Sequence, residues 1–349
     1  MMILNKVSGR FSGWVVTASI GLVASLCGGI HSANGEVIAT GFFSGTLERF
    51  DPDTLAQTTF ASIASASDPF PGLSGIALNN QTRQLYVSAR ISQRIYTVDA
   101  DTGSTLGFHQ LSTTPAGLAV DSNGQVFVSD NGGSSISVFD SNWNQVNTIT
   151  VPDIGVGNNQ PSGLAFDSNG RLLISTFAGA GIFQFDPNTS IVSSLAPSPL
   201  ANGMIAFDSN DNFVVGGAAF SNDLLRFDEN GVGLSNPYLT IDAALLPLPS
   251  GTFASPDFTS PAGVAYDENG NLFVAALGRT NPTSAADNFQ SNGGLFKFDS
   301  SGSLVAQTGS TVTPLSSVIF VPSAVPEPSS VAMLTLCVAG VAIRRRKRY

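Results

Sequence analysis

The sequence predicts an all-β fold: a six-bladed β-propeller, closed by its own C-terminal strand and flanked by two hydrophobic targeting helices. Three observations carry that prediction. A three-strand motif recurs along the chain, its spacing is that of a four-stranded unit, and the copies of its parts do not tally. The clearest copy is PAGLAVDSNGQVFVSDNGGSSISVFD at 115–140. Here GLAVD (117–121) is a short apolar run bounded by turn residues, as suits a strand buried on both faces. Gly124 frees the following SNG turn to take positive φ. QVFVSD (125–130) alternates, so Val126 and Val128 face one way, Phe127 and Ser129 the other.

Further copies lie at 75–99, 163–186, 203–228 and 263–299, each followed by a turn and a fourth strand such as QVNTIT at 145–150. The Asp that ends the third strand recurs at 51, 99, 140, 186, 228 and 299. Self-similarity every ~40–50 residues with four strands per unit marks a propeller. Six third strands stand against five internal first strands, because the first unit opens midway with GEVIATGFF (35–43). The missing strand is LSSVIFVPS (315–323), and placing it innermost in blade one beside 36–42 closes the ring. The repeat G-[LIV]-A-[VF]-D-x-N-G-x-[LV]-[FY]-V resembles NHL-type and gluconolactonase-type propeller repeats over roughly 35–323. Such folds serve enzymes, scaffolds and binding discs alike.

The two ends read as addresses. Residues 1–33 carry Lys6 and Arg10, an apolar run at 14–30 and then small residues, the layout of a signal peptide. Residues 34–323 are the propeller, and 324–349 are a tail in which VPEPSS precedes a short apolar membrane segment, 331–343, and the basic end RRRKRY. Thirteen apolar residues are short for a bilayer core, which asks for about 20. The basic end favours the cytoplasmic side, so the tail reads as a marginal tether with the body outside. The order Pro-Glu-Pro, apolar helix, Arg cluster resembles the bacterial PEP-CTERM sorting domain. Pro326, Glu327 and Pro328 match its motif, and Arg344, Arg345 and Arg346 open its basic end. The resemblance implies export to the cell surface or extracellular matrix, an exosortase-type partner and transient membrane anchoring through the tail.

Within 34–326 there are 24 acidic and eight basic residues, a formal charge of −16. That surface repels phosphate backbones, which excludes a nucleic-acid binder. Both cysteines, Cys27 and Cys337, lie in the targeting segments, so the body has no thiol chemistry. Its only histidine, His109, falls on an outer fourth strand, away from any channel.

A site is expected where the first strands begin, ringed by the residue preceding each first-strand Gly or its counterpart: Ser74, Ala116, Ser162, Asn202, Ala262 and Ser316. The gluconolactonase resemblance implies a divalent metal held there by one Glu, Asn residues and an Asp. Asn202-Gly203 looks like one Asn-Gly position, but Ala262 fills the Asp position and no Glu is present. Calcium or another divalent metal therefore has only Asn202 as a candidate ligand, too few oxygens for a hard cation, and no cofactor is expected. The DSNG, DENG and DSND segments are explained by turn formation. A second candidate is the long blade-six loop, where Arg279, Asp287, Asn288 and Phe289 form a ligand face for polysaccharide or a surface protein. Arg90, Asp130, Asn131 and Asn222 share that face as loop residues. The leading expectation is a non-enzymatic binding or structural module; the alternative is a metal-dependent hydrolase or lactonase.

Overall fold

The computed structural model describes residues 35–153, 155, 158–178, 181–199, 201–218, 221–246, 258–278, 293–308 and 313–324. Blade one contains β1 (Glu36–Gly41), β2 (Thr46–Phe50) and β3 (Gln57–Ser62). Blade two is β4 (Leu73–Asn79), β5 (Gln84–Ala89), β6 (Arg94–Asp99) and β7 (Thr105–Gln110). Blade three is β8 (Pro115–Val120), β9 (Val126–Asp130), β10 (Ser135–Phe139) and β11 (Gln145–Thr150). Blade four is β12 (Pro161–Phe166), β13 (Leu172–Thr176), β14 (Ile182–Asp186) and β15 (Ile191–Ala196). Blade five is β16 (Asn202–Phe207), β17 (Phe213–Gly217), β18 (Asp223–Phe227) and β19 (Gly233–Thr240). Blade six is β20 (Gly263–Tyr266), β21 (Leu272–Ala276), β22 (Gly294–Phe298) and β23 (Leu304–Gln307). The last strand, β24 (Leu315–Val321), returns to blade one, whose order is β24-β1-β2-β3. Its antiparallel register runs from Glu36 opposite Val321 to Gly41 opposite Leu315. The expected closure is what the chain does.

Alternation along each strand sends side chains to the two neighbouring blades. Val126 and Val128 of β9 join a cluster with Ala77 and Tyr86 of blade two. Phe127, between them, joins Leu164 and Phe183 of blade four. Among the described residues six such clusters each straddle two adjacent blades, one of them joining blade six to blade one through Phe273, Phe50 and Val318. The core is thus a ring of six layers, and it is closed.

The repeated glycine has a steric cause. A Cβ on Gly75 would lie 2.2 Å from the Ala116 carbonyl oxygen, and one on Gly117 would lie 1.9 Å from that of Ser162. Neighbouring first strands therefore meet backbone to backbone around the axis. The DSNG segments are turns: in blade three the Asp121 carboxylate accepts from the backbone N–H groups of Asn123 and Gln125, and Gly124 has φ +80°.

Residues 36–322 form one unit, the propeller. Residues 1–35 and 323–349 form another, in which the Gly35 N–H donates to Ser323 Oγ. Both expected hydrophobic helices lie outside the described residues. Among the described residues no helix is long and apolar enough to cross a membrane.

Candidate functional site

First and second strands meet at one end of the axis, and their ends build two concentric rings there. Pairing fixes the inner one: Leu73, Pro115, Pro161 and Asn202 occupy equivalent positions, opposite Ala89, Asp130, Thr176 and Gly217. The next residue of each strand faces the channel mouth, giving Ser74, Ala116, Ser162, Gly203, Ala262 and Ser316 around a cavity of about 70 Å³. This corrects the expected ring at one position. Asn202 stands one residue short of it, and Gly203 takes its place. The Asn202 side chain is fully buried, with Oδ1 accepting from Ser198 Oγ at 2.6 Å and Nδ2 donating to the Thr176 carbonyl at 3.2 Å. Its amide is used up inside the protein, so it offers a metal nothing. Among the described residues no three His, Cys, Asp or Glu side chains are grouped to hold a metal.

The outer ring is formed by the residue after each second strand: Phe42, Arg90, Asn131, Phe177, Ala218 and Leu277. Each backbone N–H donates to a carbonyl just ahead of its own blade's first-strand ring residue, at 2.8–3.1 Å. That repeated bond fixes the six side chains at the mouth. Four are apolar, and the two polar ones, Arg90 and Asn131, sit side by side on blades two and three. Of the four face residues expected to share this end, these two come together at the cavity. The other two brace loops: Asp130 Oδ1 accepts from the N–H groups of Thr114 and Gly132, and Asn222 Oδ1 accepts from the Thr259 N–H at 2.7 Å. Arg279, Asp287, Asn288 and Phe289 lie outside the described residues, as do Pro326, Glu327, Pro328, Arg344, Arg345 and Arg346.

Electrostatics single out Arg90. Arg49, Arg83, Arg94, Arg171, Arg226 and Lys297 each face a carboxylate, Glu36, Asp101, Asp68, Asp167, Asp208 and Asp53 respectively, at 2.6–3.8 Å. Arg90 alone among the described basic residues of the propeller has no carboxylate partner. Burial pulls its guanidinium below the ordinary value, yet it remains a cation at neutral pH. Beside it, Asn131 is 3% exposed; its Nδ2 reaches the Gln160 carbonyl at 3.4 Å while its Oδ1 is buried with no donor.

At the far end of the axis the first strands finish around a cavity of about 390 Å³ whose lining side chains include Leu78, Val120, Phe166, Phe207, Tyr266 and Phe320. Burial raises the Tyr266 phenol, and its hydroxyl has no hydrogen-bond partner. His109 lies on β7 as expected, its ring stacked at 5.0 Å on Trp143 of blade three. It is an inter-blade contact remote from both cavities.

Comparison with known proteins agrees with this architecture. Residues 324–347 match the PEP-CTERM protein-sorting motif, and residues 113–139 match the NHL repeat. Curated proteins give no match. Among solved structures, the nidogen/laminin complex includes a chain with 15% identity and a TM-score of 0.60, over 83% of this chain and 99% of that one. A gluconolactonase from Xanthomonas campestris gives 15% identity and 0.53, over 81% and 90%. The calcium-binding protein regucalcin from Agrobacterium tumefaciens gives 14% and 0.52, over 71% and 78%. These are likenesses of fold. The chain is thus a six-bladed propeller of NHL and gluconolactonase-like architecture carrying a PEP-CTERM motif, and that motif implies export and surface sorting by exosortase-type machinery.

Proposed function

We propose that this chain is a binding or structural module of the cell surface or extracellular matrix, with the channel mouth as its ligand face. The match of residues 324–347 to a protein-sorting motif carries the reading, since it sets where the propeller works. In this account residues 1–33 are a cleaved signal peptide, 34–323 the displayed body, and 324–349 a tail that tethers the chain to the membrane until it is processed. The mouth supports a binding role because it gathers a cation, a carboxamide and apolar walls on a rigid ring. The blade-six loop bearing Arg279, Asp287, Asn288 and Phe289 follows Leu277, which lines that mouth, in the sequence, and we assign it to the same ligand role. Metal-dependent hydrolysis has no comparable support among the described residues.

The test replaces Pro326, Glu327 and Pro328 with Ala in the producing cell. The expected result is an unprocessed, membrane-retained chain of higher mass. Unchanged mass and surface delivery would overturn the sorting account.

A further inference from the structure

We infer that a cleft between blades three and four, at the turn-bearing end of the propeller, binds a neutral polysaccharide laid across it. The cleft lies at the opposite end of the axis from the channel mouth. It rests on the surface-module reading only for where the polymer is met.

Six equivalent positions single it out. The turn after each third strand holds a residue of positive φ whose N–H donates to the carbonyl of the Asp closing that strand, at 2.8–3.0 Å. These residues are Leu55, Gly103, Trp143, Ser190, Gly231 and Gly302. Five of them seal their blade against the blade before it. Leu55 is buried in one layer with Phe273 of blade six, and Ala306 of β23 packs on that layer. Trp143 stacks at 5.0 Å on His109 of β7. A Cβ on Gly103 or Gly231 would collide with the carbonyl of Phe60 in β3 or of Leu195 in β15, and one on Gly302 would lie 3.5 Å from Leu239 in β19. Ser190 is the exception. It is exposed, and β11, the strand it should meet, leaves Val146 51% exposed. Between them lies a cleft of about 720 Å³, within the range of ligand sites, about 300–1,000 Å³. The rest of that layer is packed, with Ile136, Val151 and Phe183 buried in it, so the gap is local to the turns.

The lining narrows the ligand. Among the described residues it holds no Lys, Arg or His. The body carries a formal −16, with 24 acids against eight bases, so an anionic polymer is repelled. A cation finds no free carboxylate pair, because Asp121 and Asp167 already accept from turn N–H groups, and Asp167 also from Arg171 Nε at 2.6 Å. The remaining polar groups are neutral. Ser122, Gln125, Asn169 and Ser190 line the cleft at exposed or half-exposed positions, and their side chains make no hydrogen bond within the described protein. Hydroxyls and carboxamides both donate and accept, as do the neighbouring hydroxyls of a sugar. Phe127, Phe166 and Phe185 floor the cleft, and the half-buried Phe166 and exposed Val146 can receive the C–H face of a pyranose ring. Phe127, Val138 and Asn147 lie in register across β9, β10 and β11. The blade-three wall is therefore a sheet face presenting side chains, and a peptide has no strand edge there to extend.

The cleft is open at both ends. Val120 and Phe166 also line the cavity on the axis, while Asn147, Phe185 and Ser190 also line a further hollow of about 280 Å³ along β11. A groove running outward from the axis suits an internal stretch of polymer better than a free monosaccharide.

The test is calorimetric titration of the purified full chain with cellohexaose, maltohexaose, mannohexaose and xylohexaose, beside glucose, hexagalacturonate and a neutral Gly-Ser hexapeptide. At least one neutral hexasaccharide is expected to bind, with glucose, hexagalacturonate and the peptide at least about tenfold weaker. Ser190→Trp copies the residue that seals blade three against blade two, and Trp143 itself sits at φ +63°. It is expected to weaken the hexasaccharide at least about tenfold without lowering the Tm, since the filled cleft gains packing contacts. Gln125→Ala combined with Asn169→Ala leaves the cleft open but removes two polar partners, and is expected to weaken binding about tenfold at a wild-type Tm. Binding of no neutral hexasaccharide, or undiminished binding in either variant, overturns the site. Equal binding by hexagalacturonate or the peptide overturns the neutral-polysaccharide class, and equal binding by glucose overturns the open-ended groove. The sorting test reads mass and location, so its failure and this one are told apart.

Discussion

Ser129 joins two blades with one hydroxyl. It accepts from the Gly117 N–H at 2.8 Å and donates to the Ser162 carbonyl of the next blade at 2.8 Å. Ser88 and Ser175 repeat the arrangement, bonding the Gly75 and Gly163 N–H groups and the Ala116 and Gly203 carbonyls. In blade five the equivalent is Gly216, where a Cβ would lie 2.4 Å from the Pro261 carbonyl oxygen. There the Met204 N–H bonds the Ala262 carbonyl directly. Ser129→Ala leaves a donor and an acceptor buried without partners and is expected to cost about 1–3 kcal/mol in urea unfolding. Gly117→Ala pushes a Cβ into the Ser162 carbonyl and is expected to cost about 3 kcal/mol. A wild-type midpoint for either would contradict the stitched-ring account. The same counting shows what was legible at this scale. Back from the turn aspartates, four residues lead from Asp121 to Gly117 and from Asp167 to Gly163, but from Asp208 to Met204. One extra residue between Gly203 and Asp208 was visible in the sequence and already excluded Asn202 from the inner ring. Arg90 and Asn131 were legible as residues of that face, but nothing local in Ala-Arg or Asp-Asn says that they, rather than Asp130 or Asn222, reach the cavity on the axis.

At the level of the element, the turns are the most uniform parts of the molecule. The aspartates that end third strands accept bonds from the turn that follows. Asp51 is held low by the Thr54 backbone N–H and hydroxyl, Asp99 by the Thr102 hydroxyl and backbone, and Asp140 by the Asn144 side chain and backbone. Asp186 is lowered chiefly by the Asn188 backbone N–H, and Asp299 by the Ser301 hydroxyl. A carboxylate whose folded pKa is depressed stabilises the fold above its unfolded value, and loses that contribution as pH falls through the folded one. Thermal stability is therefore expected to be flat from neutrality to about pH 5. Below the ordinary value of 3.8 it should fall, as these carboxylates protonate in turn. A Tm that rose on acidification through that window would show the turn bonds to be unimportant. Because backbone N–H groups already occupy the DSNG carboxylates, added calcium is expected to leave the Tm unchanged; a rise would mean the turns hold metal. Strands and turns were readable because period-two alternation and Asp–Gly turn chemistry are local properties.

For the whole molecule, stability depends on where the chain's last strand goes. Leu315, Val318 and Val321 of β24 are buried. The first two belong to the layer between blades six and one, and the third to the layer between blades one and two. Each buried side chain of this size contributes about 1.5–3 kcal/mol, against a net stability of about 5–15 kcal/mol for a domain. Losing all three would consume most of that margin and would expose the inner edge of β1 to pairing with other chains. Two truncations separate this effect from loss of the sorting tail. A chain ending at 323 keeps β24 and is expected to unfold in one cooperative urea transition, with far-UV circular dichroism and Trp143 fluorescence coincident. A chain ending at 313 lacks the strand and is expected to show a shallow, non-coincident transition or to aggregate. Trp143 stacks on His109 between blades two and three, remote from the cut, so its early response would report collapse of the ring and not local fraying. Closure could be foreseen because it is a counting argument, six third strands against five internal first strands. The corner of Arg90 and Asn131 was legible only as a shared face, because which loop residues reach the axis is set by the packing of blade two on blade three and not by any local pattern. If the chain ending at 313 melted as sharply as the longer one, the propeller would not need its final strand, and the closed ring would not be what holds that corner in place.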